Sequence, residues 1–526
     1  MTKTISNDSW GSEERQFTLI ARTLFMDYFS TVVELSLGLF MLPFNIWYLG
    51  QSAYGLWVLT ASVTFYFSML NLGYGSALVR FAAQYRAKRD ELALNEVAST
   101  MFFLFAAIGI ATYLLAIAIA FNLETIFSLT PEQARTGRQV LLIISIYISL
   151  GFPFSVFGGV INGFQRKYLN GIVGITTSIL VAFVNVMVLT LGYGLVELVF
   201  CTTLVRILSY FGYRLNAYRV FPALKIRLSN FRLSRLREIT VFSAFMLLID
   251  LANKLNYSTD VIVVGAFLST ALVAVWAVAQ RLIEIAQRLT DQLNGALFPV
   301  IVDSHTVGDA NRLSVILLQG TRISLAMVLP LSIGLVFLAE PLVLLWVGPD
   351  FVTSASVVGV LALVLVFRVG NATATTLLKG AGNHRLLALS NLAIGIVNVG
   401  LSIAFVRPYG LIGVAVATLI PLGAISMLVL FPAACRRAAL PISKALAGAV
   451  WPALWPAILM AGFLGVSRRF IGTGIAWLCA EAITAGAIYI SLFLWLAIDR
   501  SERHWYVEKF RRMSAGSRLT AARVSQ

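Results

Sequence analysis

Arg281, Glu284, Arg288 and Asp291 lie three, four and three residues apart within one apolar stretch. On a helix this spacing puts all four side chains on one face. Gln280, Gln287 and Asn294 recur every seven residues beside them, while Ala, Val, Leu and Ile fill the other side. The stretch is long and apolar enough to lie in a bilayer, where a mid-depth charge costs about 2.5–3.5 kcal/mol on insertion scales. Residues kept at that cost face a bundle interior or a hydrated cavity. They offer recognition of a charged solute, with arginines gripping anionic oxygens bidentately and nearby carboxylates loosening the grip. Alternatively, Arg281 with Glu284 and Arg288 with Asp291 neutralise each other one turn apart, and such pairs still need polar neighbours.

Further ionic residues interrupt other apolar stretches. Residues 240–265 carry Asp250, Lys254 and Asp260, and Asp250 can pair with Lys254 one turn on. Residues 23–48 carry Asp27, Ser30, Glu34, Gly38 and Asn45 at helical spacing, with Pro43 as a kink. Neither acid has a basic partner within a turn of its own helix. Either these carboxylates carry a proton or meet a cation, or a neighbouring helix such as the one bearing Lys254 supplies the counter-charge. Arg368 sits deep in residues 354–377 and is expected to face a cavity, whereas Arg322 lies near a span end and is expected to snorkel. Glu481 is isolated and calls for a partner from a preceding span or marks a peripheral site.

The elements that position these groups follow from composition. The chain has 526 residues, 59% hydrophobic and 12% charged, with mean hydropathy +0.85. A soluble domain carries about 25% charged residues. The fold class is therefore an all-α integral membrane protein, and apolar windows of about 20 residues predict about fourteen transmembrane helices. No loop is long enough for a soluble catalytic domain. No GxxxxGK[ST] loop, GxSxG elbow, HExxH or paired-cysteine motif occurs, so the chain does not read as an enzyme. Three histidines and three cysteines are scattered, so neither a metal centre nor a bound cofactor is expected.

The net charge of +16 would suggest nucleic acid on a soluble protein. Here the basic residues gather in alternate loops: Arg80 to Arg89, Arg166 and Lys167, Arg214 to Arg237, Arg312, Lys379 and Arg385, Arg436 to Lys444, and the tail. By the positive-inside rule these loops and both termini are expected to be cytoplasmic. The polar N-terminus lacks the features of a cleaved signal. The basic segment Arg214–Arg237 is expected to set topology and meet anionic lipid, at about 1 kcal/mol per basic residue. Recruitment of an acidic substrate is its other reading.

The chain also repeats itself. Residues 163–195 carry Gly163, Gln165, Arg166, then Val184-Asn185-Val186 and Tyr193-Gly194-Leu195; residues 380–411 carry Gly380, Asn383, Arg385, then Val397-Asn398-Val399 and Tyr409-Gly410-Leu411. Copies with the same topology imply parallel halves related by an axis along the membrane normal. The expected divisions are an N-terminal six-helix half at 1–225, a second at 226–440, and an addition at 441–526 holding the last two helices and a basic tail.

Several segments carry a family resemblance: RFAAQYRAKRD at 80–90, DVIVVG at 260–265 followed by VAVW at 273–276 and Ala279, WVGPDF at 346–351, and LKGAGN at 378–383. Taken in order along the predicted spans, they resemble the polysaccharide-transporter branch of the multidrug/oligosaccharidyl-lipid/polysaccharide exporter superfamily, which includes the O-antigen and exopolysaccharide repeat-unit flippases. The resemblance implies two six-helix bundles in a V around a central cavity, with two helices added. It implies flipping of a polyprenyl-diphosphate-linked oligosaccharide to the outer leaflet by alternating access. Lys254, Arg281, Arg288 and Arg368 are the expected substrate cations. Asp27, Glu34, Asp250, Asp260, Glu284 and Asp291 are the expected cavity acids. Membrane lipids and a polysaccharide polymerase or chain-length machinery are the expected partners, with no nucleic acid. The drive is the membrane potential, or proton or sodium coupling through Asp27, Glu34 or Asp260. The alternative within the same superfamily is a multidrug/cation antiporter, whose cavity would favour carboxylates over cations.

Overall fold

The computed structural model describes residues 8–71, 74–237, 239–240, 259–469 and 474–498. Hydrocarbon offers no hydrogen-bond partner to a peptide group, so a spanning chain of this composition must bond to itself as helix. Eleven helices among the described residues are long and apolar enough to cross a membrane. The chain is an all-α, multi-pass membrane protein. Its principal helices are α1 (Asp8–Phe67), α2 (Tyr74–Lys88), α3 (Glu91–Phe121), α4 (Pro131–Gly163), α5 (Lys167–Thr190), α6 (Leu195–Val220), α7 (Thr270–Val307), α8 (Ala310–Trp346), α9 (Thr353–Gly370), α10 (Ala372–Gly380), α11 (His384–Ile425), α12 (Trp451–Ser467) and α13 (Ile475–Leu492).

Two of the apolar helices each cover a pair of expected spans. α1 turns at Gly50 (φ +76°) and α11 at Gly410 (φ +57°). A side chain at either glycine would meet nothing within 4 Å, so the positive φ rather than crowding selects glycine. The expected span at 240–265 falls mostly outside the described residues, and its end, 259–267, is helical.

The chain forms two compact units. The first comprises Met1–Ala277 with Ser402–Val414, the second Val278–Leu401 with Ala415–Gln526. In the first unit α4 packs against α2, α3 and α6, while α1 packs on α5. One core there joins Phe81 and Ala82 of α2, Met101 and Phe105 of α3, and Phe157 and Ile161 of α4. In the second unit α8 is central, touching α9, α10, α12 and α13. A core of Ile301, Leu313, Leu317, Leu377 and Leu378 gathers at its basic ends.

The repeat seen in sequence has a local structural counterpart. α4 closes with hydrogen bonds from Gln165 N to Asn162 O (2.9 Å) and Arg166 N to Ile161 O (3.1 Å); α10 closes with Gly382 N to Lys379 O (3.2 Å) and Asn383 N to Leu378 O (2.9 Å). Both are Schellman endings. The turns after α2 and α7 match in the same way. Asp90 N bonds Tyr85 O (3.0 Å) and Asp309 N bonds Ser304 O (3.0 Å). Each aspartate then caps the next helix, accepting from Ala93 N and from Arg312 N, both at 2.9 Å. Close helix approach also recurs: a Cβ on Gly163 would come within 2.5 Å of Ala82 Cβ, and one on Gly380 within 2.7 Å of Ile301 Cγ2.

The basic segment after α6 is a fitted strap, which neither reading of it anticipated. Asn95 of α3 donates to Ala223 O (3.0 Å) and accepts from Lys225 N (2.6 Å). Ser99 donates to Lys225 O (3.1 Å) and Thr100 accepts from Arg232 N (3.0 Å). Glu96 pairs with Arg232 at 3.3 Å and Arg235 at 3.2 Å. Backbone groups that water would otherwise satisfy are thereby tied to one helix end.

Gly163→Val should force α2 and α4 apart, lowering the thermal unfolding midpoint in detergent by an amount equivalent to about 1–3 kcal/mol. Gly462→Val, where nothing lies within 4 Å, should change it far less, and equal shifts in the two variants would contradict the packing account.

Candidate functional site

α7 carries the charged stripe. Arg281 Nη1 lies 3.2 Å from Glu284 Oε2, and the other carboxylate oxygen accepts from Gln280 Nε2 at 3.2 Å. Less than a turn further along, Gln287 Oε1 accepts from Arg368 Nη1 of α9 at 3.0 Å. Arg368 thus joins the α7 face from a distant part of the sequence. Arg288 is exposed. On the opposite side Leu282, Ile283 and Ala286 are buried. The apolar side of α7 packs and the polar side stays open, with Arg281 and Glu284 side chains 21% and 42% exposed. In a membrane helix an open ionic face requires water or a polar solute in front of it.

The electrostatics of this face are uneven. The Arg281–Glu284 pair, three residues apart on one helix, is the internal pairing that spacing alone allowed. The bond from Arg368 to the Gln287 carboxamide orients the guanidinium on this face. Two carboxamides thus serve as orienting groups, Gln280 for the acid and Gln287 for the base. The face can present guanidinium N–H groups to an anion while holding one carboxylate alongside.

The remaining expected site residues fall elsewhere. Lys254 and Asp250 lie outside the described residues, as does the side chain of Asp291. Asp27 pairs with Lys167 of α5 at 2.7 Å, both about half exposed. Its counter-charge thus comes from α5. Asp260 is 9% exposed and follows Thr259, whose hydroxyl meets Tyr66 Oη at 2.8 Å. Arg322 is buried at 6% exposure, so it does not snorkel. Glu481 is held by Ser467 Oγ at 2.5 Å and Arg468 Nη1 at 3.3 Å, and its side chain is wholly buried. That pair clamps α13 to the end of α12.

Glu34 lines a cavity of about 390 Å³ inside the first unit, together with Gly38 and Asn45 of the same helix. Tyr147 of α4 and Arg206 of α6 are among the lining residues not singled out from sequence. Arg206 is a cation inside an apolar span, and the criterion that selected Arg368 would have found it. Tyr147 left no comparable signal. Among the described residues no group of three His, Cys, Asp or Glu side chains could hold a metal ion.

The chain is similar to known proteins along nearly its whole length. A family model described as polysaccharide biosynthesis protein matches residues 48–356. The "Probable flippase AglR" of Haloferax volcanii is 24% identical over 487 residues, covering 90% of this chain and 96% of that protein. The "Succinoglycan biosynthesis transport protein ExoT" of Rhizobium meliloti is 24% identical over 281 residues, covering 52% of this chain and 55% of that protein. Among solved structures, the lipid II flippase MurJ in an inward closed conformation superposes with a TM-score of 0.71 at 16% identity, covering 90% of this chain and 98% of that one. At that identity the likeness concerns the fold.

The two ion pairs outside the α7 face should differ sharply in worth. Arg468→Ala leaves a wholly buried carboxylate without its cation and should cost about 3–5 kcal/mol. Lys167→Ala breaks a half-exposed pair and should cost about 0–1 kcal/mol. Thermal unfolding of both purified variants checks the contrast, and a stable Arg468→Ala would refute it.

Proposed function

Because this chain belongs to the polysaccharide biosynthesis protein family, we propose that it is a flippase that carries a polyprenyl-diphosphate-linked oligosaccharide from the inner to the outer leaflet of a bacterial inner membrane, for O-antigen, exopolysaccharide or capsule synthesis. The observation that carries this reading is the α7 face. Three arginines, Arg281, Arg288 and Arg368, stand on membrane helices where an unneeded charge is costly. Two of them are oriented by side chains of the same face. A diphosphate presents paired anionic oxygens, which guanidinium groups bind bidentately and more strongly than a neutral donor can. Glu284 keeps the grip moderate, so that a bound anion can leave on the far side. Lys254, outside the described residues, is assigned to the same role on its sequence position.

The protein is a transporter rather than an enzyme on this reading, and the flippase and transport names of its relatives support that. A cation antiporter would instead place carboxylates in the majority on such a face. Moving a net anion outward from a negative cytoplasm gains about 2.3 kcal/mol per charge per 100 mV. The potential can therefore supply the drive. Proton or sodium coupling through Asp27 or Asp260 is the second source. Alternating access would expose the α7 face to one leaflet side and then the other. On this reading both termini lie in the cytoplasm, in keeping with the positive-inside rule, and a polymerase or chain-length machinery acting on the flipped product is the expected partner.

In a host lacking the native gene, Arg288→Ala and Arg368→Ala should each reduce surface polysaccharide by about tenfold or more, the loss expected when a charge-assisted contact worth about 1.5–3 kcal/mol is removed. Protein level in the membrane should be unchanged, and Arg368→Lys should restore only part of the output because it cannot bind bidentately. Normal polysaccharide from both alanine variants would defeat the proposal.

A further inference from the structure

The α7 face accounts for the anionic part of a lipid-linked saccharide and leaves its sugars unplaced. The first unit contains an open cavity of about 390 Å³ lined by α1, α4, α5 and α6. Glu34 and Asn45 line it from α1, Trp57 from α1 beyond the Gly50 turn, Tyr147 from α4, Asn185 from α5 and Arg206 from α6. Its volume lies within the range of small-molecule sites, about 300–1,000 Å³. A bare cation with a few waters needs much less space, since a water occupies about 30 Å³.

The lining is unusual for the inside of a membrane bundle. Asn45 and Asn185 are 5% and 4% exposed. The carboxamide oxygen of neither has a hydrogen-bond partner among the described residues. A buried polar group left unsatisfied is costly, and two such oxygens stand in the wall of this cavity, where rotation of either carboxamide would turn a polar atom towards an occupant. Thr202 and Thr203 add hydroxyls to the wall. Thr202 spends its proton on Leu198 O at 2.7 Å, which leaves its lone pairs to accept. The guanidinium of Arg206 lies 5.9 Å from the ring centre of Tyr147, and the Trp57 indole presents a second aromatic surface.

The chemical class follows from this combination. One carboxylate and one guanidinium leave the cavity with no net charge, so nothing draws in a lone ion. Carboxamides, hydroxyls and aromatic faces together match a pyranose, whose hydroxyls both donate and accept and whose C–H faces lie against rings. We propose that this cavity binds one neutral sugar residue of the saccharide, separately from the diphosphate site on α7. The proposal rests on the flippase reading and adds to it a second, glycan-selective site inside the first unit. Glu34 and Arg206 then act as hydrogen-bonding groups to sugar hydroxyls, and Asn45 and Asn185 as the groups that distinguish one sugar from another.

The test uses the purified full-length protein in detergent, and its membrane function in a host lacking the native gene. Thermal unfolding is followed with D-glucose, D-galactose, L-rhamnose or N-acetyl-D-glucosamine, with mannitol at equal osmolality as the control for general osmolyte stabilisation. At least one sugar should raise the midpoint of the unaltered protein above the mannitol value. That excess should vanish in Asn185→Leu and in Asn45→Leu. Both variants remove an unsatisfied buried oxygen, so without sugar their midpoints should equal or exceed that of the parent. Surface polysaccharide should nevertheless fall by about tenfold, the effect of one lost hydrogen bond at the upper end of its usual worth. Failure of every sugar to exceed mannitol, persistence of the excess in both variants, or a midpoint that follows sodium over potassium instead would overturn the proposal. If one leucine variant fails to fold, the other and Trp57→Ala decide by the same readouts. Should deletion of the gene leave surface polysaccharide intact, the flippase reading falls as well. Should deletion abolish it while both leucine variants restore it fully, only the sugar site falls.

Discussion

Hydrocarbon supplies no partner for a charge or a peptide group, and most of this structure can be understood as an answer to that constraint. The backbone satisfies itself as helix wherever the chain is apolar. The side chains that remain polar must either find each other or line a wet space. Glu481 with Arg468 and Ser467 shows the first solution, a carboxylate closed off completely between two helices. The α7 face shows the second. There the pairing is looser, the acid is 42% exposed, and a neutral glutamine orients one of the arginines. The difference between closed and open ionic groups separates what holds helices together from what can meet a solute.

The same constraint acts at helix ends. Turns outside the apolar layer must satisfy the carbonyls and N–H groups that helices leave over, and do so in little space. The chain solves this once and uses the solution twice. The turn at Gln165 and Arg166 matches that at Gly382 and Asn383, and the Asp90 cap matches the Asp309 cap. Glycines at matching positions, Gly163 and Gly380, bring helices into close approach in each unit. The strap after α6 extends the pattern to the segment joining the halves, because Asn95, Ser99 and Thr100 bond its backbone directly. A basic segment that could have floated against lipid headgroups is instead fixed to α3.

On the proposed function, anionic and neutral parts of one large substrate call for different chemistry, and the two units carry different side chains. Arginines on α7 and α9 suit phosphate oxygens. Carboxamides and aromatic rings, with Glu34 and Arg206 on the same cavity wall in the first unit, suit a sugar. Dividing recognition this way leaves each grip modest, which suits a protein that must release what it binds.

The sequence by itself determined the fold class, because apolar runs of membrane length leave a chain no alternative to helix. It also determined the repeated turns and the polar stripe of α7, since both depend on residues close together along the chain. Pairings of Arg281 with Glu284 were legible from a spacing of three. What only the tertiary structure decided lies between helices that are distant in sequence. Arg368 meets Gln287, Asp27 meets Lys167, and Glu34 shares a cavity with Arg206 and Tyr147. Helical periodicity fixes the face on which a side chain stands, but in a bilayer hydrophobicity no longer tells one face from another, and packing chooses the neighbour. For that reason Arg322, expected to reach for the surface, is buried, and Arg206, a cation that the sequence already places in an apolar span, acquires Tyr147 as its neighbour only through the packing of α6 beside α4.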